Sequence, residues 1–231
     1  MEKFMLCTLM LFVTTGFVHV NGKILYLGSK CSQTRNTTGN YNTIYQTNLK
    51  TLLDSLAHNS PLQGGFMNTT IGTGSNQVYG LAWCRADVSP TTCSKCLNES
   101  IRVPLRDCPR KQRLGDMVES SSSGYGRHTL DEASVFSRGF SMMEALGRNV
   151  SDRALMFDIG VIDVGNDGKR YGLGQCSQDL SKFDCEKCLE KLLMIYKRFV
   201  LNRTGWEMLG VSCGLWYDDV KFSDNDSELT T

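Results

Sequence analysis

Net charge is what this sequence has least of: 25 lysines and arginines against 24 aspartates and glutamates leave +1 over 231 residues. Bulk electrostatics therefore gives no reason to expect a nucleic acid or an anionic membrane as partner. Histidine is scarce as well, and beyond residue 22 only His58 and His128 remain. No Gly-x-Ser-x-Gly or His-Glu-x-x-His stands near either, so the signatures of a serine hydrolase or a zinc protease are missing. His58 suits a helix end, where a cation is favoured by the dipole. The acidic residues, Asp163 and Asp167 among them, are unpatterned, and Gly72-x-Gly74 reads as a turn before a phosphate loop. The expectation is a chain that is not an enzyme and holds no cofactor or metal. Past the N-terminus there is no second long apolar run, and the acidic, polar stretch Ser223–Thr231 lacks the tail of a lipid anchor.

What is abundant is cysteine, and it is patterned. Cys84-x8-Cys93-x2-Cys96 returns as Cys176-x8-Cys185-x2-Cys188, each cysteine displaced by 92 residues. Tyr79-Gly80-Leu81 returns as Tyr171-Gly172-Leu173, and Asp87, Ser89, Lys95 and Leu97 return as Asp179, Ser181, Lys187 and Leu189. One fixed offset across so many positions marks an internal duplication, with a period too long for a solenoid and suited to a small domain.

The N-terminus reads as a secretory leader. Lys3 precedes an apolar run from Phe4 to Phe12, a weaker one continues to Val20, and Val20-Asn21-Gly22 offers a cleavage site. Thr14, Thr15 and His19 interrupt the run, which disfavours a membrane anchor. The expected layout is a leader over 1–22, a first domain over 23–127, a second over 128–222 and an acidic tail over 223–231. Six Asn-x-Ser/Thr sequons, at Asn36, Asn68, Asn98, Asn149, Asn202 and Asn225, fit a secreted glycoprotein.

Removing the leader removes Cys7 and leaves nine cysteines, an odd number, so in an oxidising compartment at least one stays free or pairs between chains. Cys93-x2-Cys96 and Cys185-x2-Cys188 also have the spacing of zinc half-sites, and a thioredoxin-like redox pair is a further alternative. The secretory context and the third cysteine eight residues upstream favour disulfides over both.

Helical spacing of Tyr45, Leu49, Leu52, Leu53 and Leu56 predicts a helix from about Thr43 to His58, stopped by Asn59-Ser60-Pro61. Phe66–Tyr79 predicts a hairpin, and Ser89-Pro90 opens a second helix carrying Cys93, Cys96, Leu97 and Ile101. A polar link from Arg110 to Asp131 follows. The second half repeats the order: a helix through Phe136, Phe140, Met143 and Leu146; a strand over 154–164; a turn at Gly165–Gly168; a helix capped by Ser181. A single closing strand runs from Trp206 to Tyr217. Helix, hairpin, helix, strand suggests an α+β fold with helices on one face of an antiparallel sheet.

YGLAWCRADVSPTTCSKCL and YGLGQCSQDLSKFDCEKCL resemble the C-x8-C-x2-C block of the plant stress-antifungal, or ginkbilobin-homologous, domain. Cysteine-rich repeat secretory proteins carry two such domains, and the resemblance covers about Lys23 to Phe222. It implies two tandem domains, each with two helices packed on a five-stranded antiparallel sheet and stabilised by disulfides. The family's pairing, carried over, joins Cys31 to Cys108, Cys84 to Cys93, Cys176 to Cys185 and Cys188 to Cys213. The closing cysteine of the first domain falls at Ser121, which leaves Cys96 as a free thiol, either a buried small hydrophobe or an exposed group able to link a dimer. The mannose-binding positions of some members fall on Ser32, Gly115 and Gly126 in the first domain and on Glu207 and Asp218 in the second, so that site looks absent. Arg113 beside Gly115 is a shifted substitute, and Trp216 is a candidate sugar platform beside Trp83 and Trp206, which read more readily as core. The resemblance implies a secreted, non-enzymatic protein of the apoplast that binds a cell-wall glycan or an extracellular protein partner in stress or defence. The alternatives are a module engaging receptor ectodomains and, less favoured, a thiol-active extracellular enzyme.

Overall fold

The computed structural model describes residues 5–11, 13–20, 23–31, 43–102, 123–126, 129–199, 202–210 and 212–222; for residues 5–31, 123–126 and 199 only the backbone is described. The chain divides into two compact units, Met1–Met117 and Val118–Thr231. The division falls ten residues before the expected boundary at 127.

The first unit has strands β1 (Met5–Leu11), β2 (Val13–Val20) and β3 (Lys23–Cys31), then helix α1 (Thr43–Asn59), strands β4 (Phe66–Ile71) and β5 (Val78–Cys84), and helix α2 (Pro90–Ser100). Its antiparallel sheet has the order β3-β2-β1-β5-β4. The leader-like stretch thus supplies two of the five strands. Its short, broken apolar run is compatible with a strand as well as with a leader.

The sequence features of α1 and α2 act as expected. Leu52, Leu53, Leu56 and Ala57 of α1 pack with Val78, Ala82 and Cys84 of β5 and with Cys93, Cys96 and Leu97 of α2. Each fully buried leucine stabilises such a core by about 1.5–3 kcal/mol. Pro90 takes the first turn of α2, where its missing N–H costs nothing, and the Ser89 hydroxyl accepts from the Thr92 N–H at 3.2 Å.

The second unit has β6 (Ser123–Gly126), α3 (Ala133–Asn149), β7 (Phe157–Asp163), β8 (Lys169–Cys176), α4 (Lys182–Phe199), β9 (Trp206–Leu209) and β10 (Cys213–Asp218). Its sheet runs β6-β9-β10-β8-β7, again antiparallel. The stretch read as one closing strand is a hairpin of two, because the chain turns back between Leu209 and Cys213. The stretch read as a polar link contributes β6, an edge strand of the sheet beside β9.

Glycines on the helix side of β7 and β8 set the layer spacing. A Cβ on Gly172 would lie 2.6 Å from the Met143 sulfur and 2.8 Å from Leu146, both on α3. The core is filled by an aromatic row: Tyr196 stacks on Trp206 with centroids 3.9 Å apart, and Trp206 on Tyr217 at 5.6 Å. Among the described residues each unit is therefore two helices on a five-stranded antiparallel sheet.

Candidate functional site

The duplicated cysteine blocks form one device twice. A strand ends at Cys84 or Cys176, a short turn follows, and the next helix returns its first-turn cysteine to that strand end. Cys84–Cys93 and Cys176–Cys185 are disulfide-bonded, with Cα atoms 5.8 and 5.7 Å apart. Cys188 lies one turn further along α4 and is bonded to Cys213 at the start of β10. With Cys176, Cys185 and Cys188 all in disulfides, the second block offers no thiolates for zinc or for redox exchange. Among the described residues no cluster of three or more histidine, cysteine, aspartate or glutamate side chains could hold a metal ion.

The repeated Asp and Ser have local work. Asp87 accepts both arms of the Arg85 guanidinium, at 2.5 and 2.9 Å, and Asp179 accepts the Ser177 hydroxyl at 2.5 Å. In each copy the residue after the strand cysteine is tied to the aspartate two further on, which closes the turn. Ser181 accepts from the Asp184 N–H at 3.1 Å, the counterpart of the Ser89 cap.

Cys96 is fully buried and free, in the cluster with Leu53, Leu56 and Leu97. A dimer linked through it would need α2 to leave the core, so the exposed-thiol reading is corrected to the buried one. Cys31 ends β3 opposite Val13. Cys108, Arg113, His128, Asn36, Asn225, Ser32, Gly115 and Ser121 lie outside the described residues.

The sugar-platform reading of Trp216 is also corrected. Trp216 sits on β10 between β8 and β9, 2% exposed, with its ring over Gly214, where a Cβ would meet it at 2.4 Å. Glu207, its cross-strand neighbour, is buried too, as are Trp83 and Trp206. Asp218 ends β10 and accepts the Val220 N–H at 2.8 Å, the turn-closing role of a strand-end aspartate. Gly126 ends β6 opposite Trp206, inside the second sheet. His58 is exposed in the last turn of α1.

The polar centre that sequence reasoning missed is Asp131. It is buried, and its carboxylate accepts from Arg170 Nε and Nη2 at 2.9 and 2.6 Å and from the Tyr217 hydroxyl at 2.9 Å. Arg170 Nη1 donates to the carbonyls of Asp167 and Lys169. Gly139 makes room for this, since a Cβ there would lie 2.3 Å from the Tyr217 oxygen. Burial, then the bond to Asp131, pushes the Tyr217 phenol well above its ordinary range; burial, then the Asp131 charge, does the same for Tyr196. Burial pulls Arg170 down, but the bonds to and charge of Asp131 outweigh it and raise the guanidinium. All three stay in their ordinary neutral pH forms, so the cluster pins α3, β8 and β10 together and is not poised for proton transfer.

Asp131 also fixes Asn202. The Asn202 side-chain amide donates to the Asp131 carbonyl at 2.6 Å, the Asp131 N–H donates to the Asn202 carbonyl at 2.7 Å, and buried Thr204 meets Thr129. Of the sequons, Asn68, Asn98 and Asn149 are exposed, whereas Asn202 is tied down.

The exposed chemistry lies on α4. Phe183, Lys187, Glu190 and Met194 fall at i, i+4, i+7 and i+11, one stripe about 16 Å long. Phe183 and Met194 are 66% and 61% exposed. Between them Lys187 lies over the Phe183 ring, 5.9 Å from its centroid, and pairs with Glu190 at 2.6 Å.

A pair of α+β units, each closed by disulfides around a strand-turn-helix block, is the architecture of tandem DUF26 ectodomains. The chain superposes on that of the cysteine-rich receptor-like protein PDLP5 from Arabidopsis thaliana with a TM-score of 0.63 at 22% identity, covering 84% of this chain and 98% of that one. For PDLP8 from the same plant the score is 0.61, covering 82% and 95%. Residues 30–129 match the salt stress response/antifungal family. Cysteine-rich receptor-like protein kinase 6 of Arabidopsis thaliana is 28% identical over 95% of this chain, which spans 36% of the kinase. Antimicrobial ginkbilobin-2-like protein of Castanea crenata is 28% identical over 78% of this chain and 82% of its own. The chain therefore carries a stress-antifungal (DUF26) domain and is homologous to the cysteine-rich receptor-like kinases and to the ginkbilobin-2-like protein.

Proposed function

We propose that this is a secreted, non-enzymatic protein of the apoplast that acts in stress or defence by binding an extracellular protein, with the α4 stripe as its contact. The observation that carries the reading is the exposure of Phe183 and Met194 on a helix whose other face is locked into the core. Exposed aromatic and methionine side chains flanking a neutral Lys–Glu pair suit a protein surface, where such anchors dominate affinity. The partner is a tandem-domain ectodomain of the kind this chain superposes on. The glycan reading is weaker, because Trp216 and Glu207 are buried. No helix among the described residues is long and apolar enough to cross a membrane. Asn68, Asn98 and Asn149, exposed on their elements, are the sequons best placed for glycans.

The test is binding of the secreted protein to an immobilised ectodomain of cysteine-rich receptor-like protein kinase 6, beside a glycan array. Phe183→Asp with Met194→Asp is expected to weaken ectodomain binding at least tenfold while leaving the thermal midpoint unchanged. Binding to mannose, chitin or glucan that survives the double substitution would replace this reading with the glycan one.

A further inference from the structure

The exposed stripe of α4 is symmetric along its own length. Its midpoint falls between Cys188 and Leu189. Lys187 and Glu190 lie equally far on either side of that point, and so do Phe183 and Met194. At 3.6 residues per turn the four fall within an arc of about 60°. A second α4, laid antiparallel across a two-fold axis at the midpoint, brings its Met194 level with Phe183 and its Glu190 level with Lys187. Each contact then occurs twice, as an interface between identical chains requires. The levels match chemically: a thioether meets an aromatic ring, and an acid meets a base. Parallel placement would set Lys187 on Lys187 and Glu190 on Glu190, so the charges select the antiparallel order.

The duplication supplies an internal control. The residues equivalent to Phe183, Lys187 and Glu190 on α2 are Thr91, Lys95 and Asn98, with Arg102 beyond the helix end at the place of Met194. That face is exposed too, but it has no apolar anchor and no acid, and Asn98 opens a sequon. The fold therefore does not require the stripe, which belongs to α4 alone. On the far side α4 is fixed by the Cys188–Cys213 bridge and by buried Leu189, Leu192 and Leu193, so the ridge is presented without an ordering cost. Lys187 and Glu190 are more than half exposed, so their pairing within one helix is weak and open to exchange for pairing across the axis. Two ridges about 16 Å long bury less than the roughly 1,200 Å² of a standard stable interface, which makes the association weak and concentration-dependent.

We infer that α4 is the contact between two copies of this chain, packed antiparallel about a two-fold axis level with Cys188 and Leu189. This rests on the reading of the stripe as a protein contact, and it adds a second copy of the chain as an occupant that carries the same stripe.

The test is sedimentation equilibrium of the secreted protein, with no ectodomain present, from about 1 µM to about 1 mM. The expected result is a reversible monomer–dimer equilibrium, weakened about tenfold or more by Lys187→Glu alone and by Glu190→Lys alone, because each sets like charges level across the axis. Mixing the two variants restores opposite charges at both levels, so the mixture should form a heterodimer within about threefold of the native affinity. A protein that stays monomeric to the top of that range, a dimer unaffected by Phe183→Asp with Met194→Asp, or a mixture that associates no better than either variant overturns the inference. Ectodomain binding is measured separately. A chain that binds the ectodomain and stays monomeric overturns the two-fold contact alone; one that dimerises without binding it overturns the ectodomain reading alone.

Discussion

The first and second units reach one sheet order from different chain paths. In the second, α4 is followed by the hairpin β9–β10, and Cys213 ties that hairpin back to the helix. In the first, the equivalent strands precede α1. What the two share is the block itself: a strand ending in cysteine, a turn held by an aspartate, a serine cap and a helix returning a cysteine. The comparison teaches that the block defines a position beside its strand, which β10 fills in the second unit and β1 in the first. What differs is the fastening. The second unit has the Asp131 cluster and an aromatic row; the first has Val78 at the place of Arg170 and no counterpart of Asp131 among its described residues.

The largest effect should come from breaking the feature unique to the second unit. Asp131→Ala leaves the Arg170 guanidinium buried and without its carboxylate, which typically destabilises by about 3–5 kcal/mol. Amide exchange should accelerate throughout α3, β8 and β10 and stay unchanged in α1. Equal acceleration in both units would mean that they do not unfold separately.

Next comes the disulfide. Cys188→Ala with Cys213→Ala opens a 25-residue separation and should cost about 2–4 kcal/mol. Cys96→Ala sharpens the comparison. As a buried thiol alone, Cys96 contributes about 1 kcal/mol on truncation. A loss as large as that of the Cys188–Cys213 pair would instead show that Cys96 does not act as a small buried hydrophobe. Both are read as urea midpoints, with and without reductant.

Alkaline pH separates the units more gently. Burial raises Tyr196 and Tyr217 in the second unit and Tyr45 in the first. For a raised phenol the folded state holds its proton longer than the unfolded state. Its stabilising contribution is intact below pH 10 and is lost as pH climbs from there through the raised folded value. Each such tyrosine costs up to about 1.4 kcal/mol per pH unit in that window. The second unit, with two, should lose stability about twice as steeply as the first. The near-ultraviolet signal of the Tyr196–Trp206–Tyr217 row reports it in urea titrations between pH 9 and 11.

What is legible in the sequence depends on the range of the signal. The caps at Ser89 and Ser181, the leucine spacing of α1 and the one-turn separation of Cys93 from Cys96 are local, so they were legible. The α+β class followed from element order. Asp131 was not legible, because its partners Arg170 and Tyr217 lie 39 and 86 residues away and nothing in its neighbourhood marks it. The strands β1 and β2 were obscured because a short apolar run has the same composition as a leader or a strand. Trp216 was misplaced for a related reason: alternation along β10 puts it on the face turned from the helices, and burial of that face leaves no periodic trace.

The smallest effect sharpens the comparison at a single hydrogen bond. Ser89 and Ser181 cap equivalent helices, and replacing an N-cap serine by alanine costs about 1 kcal/mol. The consequences should nevertheless differ. Ser181 also donates to Asp184 at 2.6 Å, so its removal frees a carboxylate that remains favourable near the helix N-terminus. The Ser89 cap has Thr92 in that place, whose hydroxyl meets Ser89 at 2.9 Å and carries no charge to compensate. Helix α2 has 11 residues and α4 has 18, so fraying of one turn removes a larger share of the shorter helix. Ser89→Ala should therefore accelerate amide exchange over the first turn of α2 more than Ser181→Ala does over that of α4. The reverse order would show that the Cys84–Cys93 bridge, and not the cap, holds the start of α2.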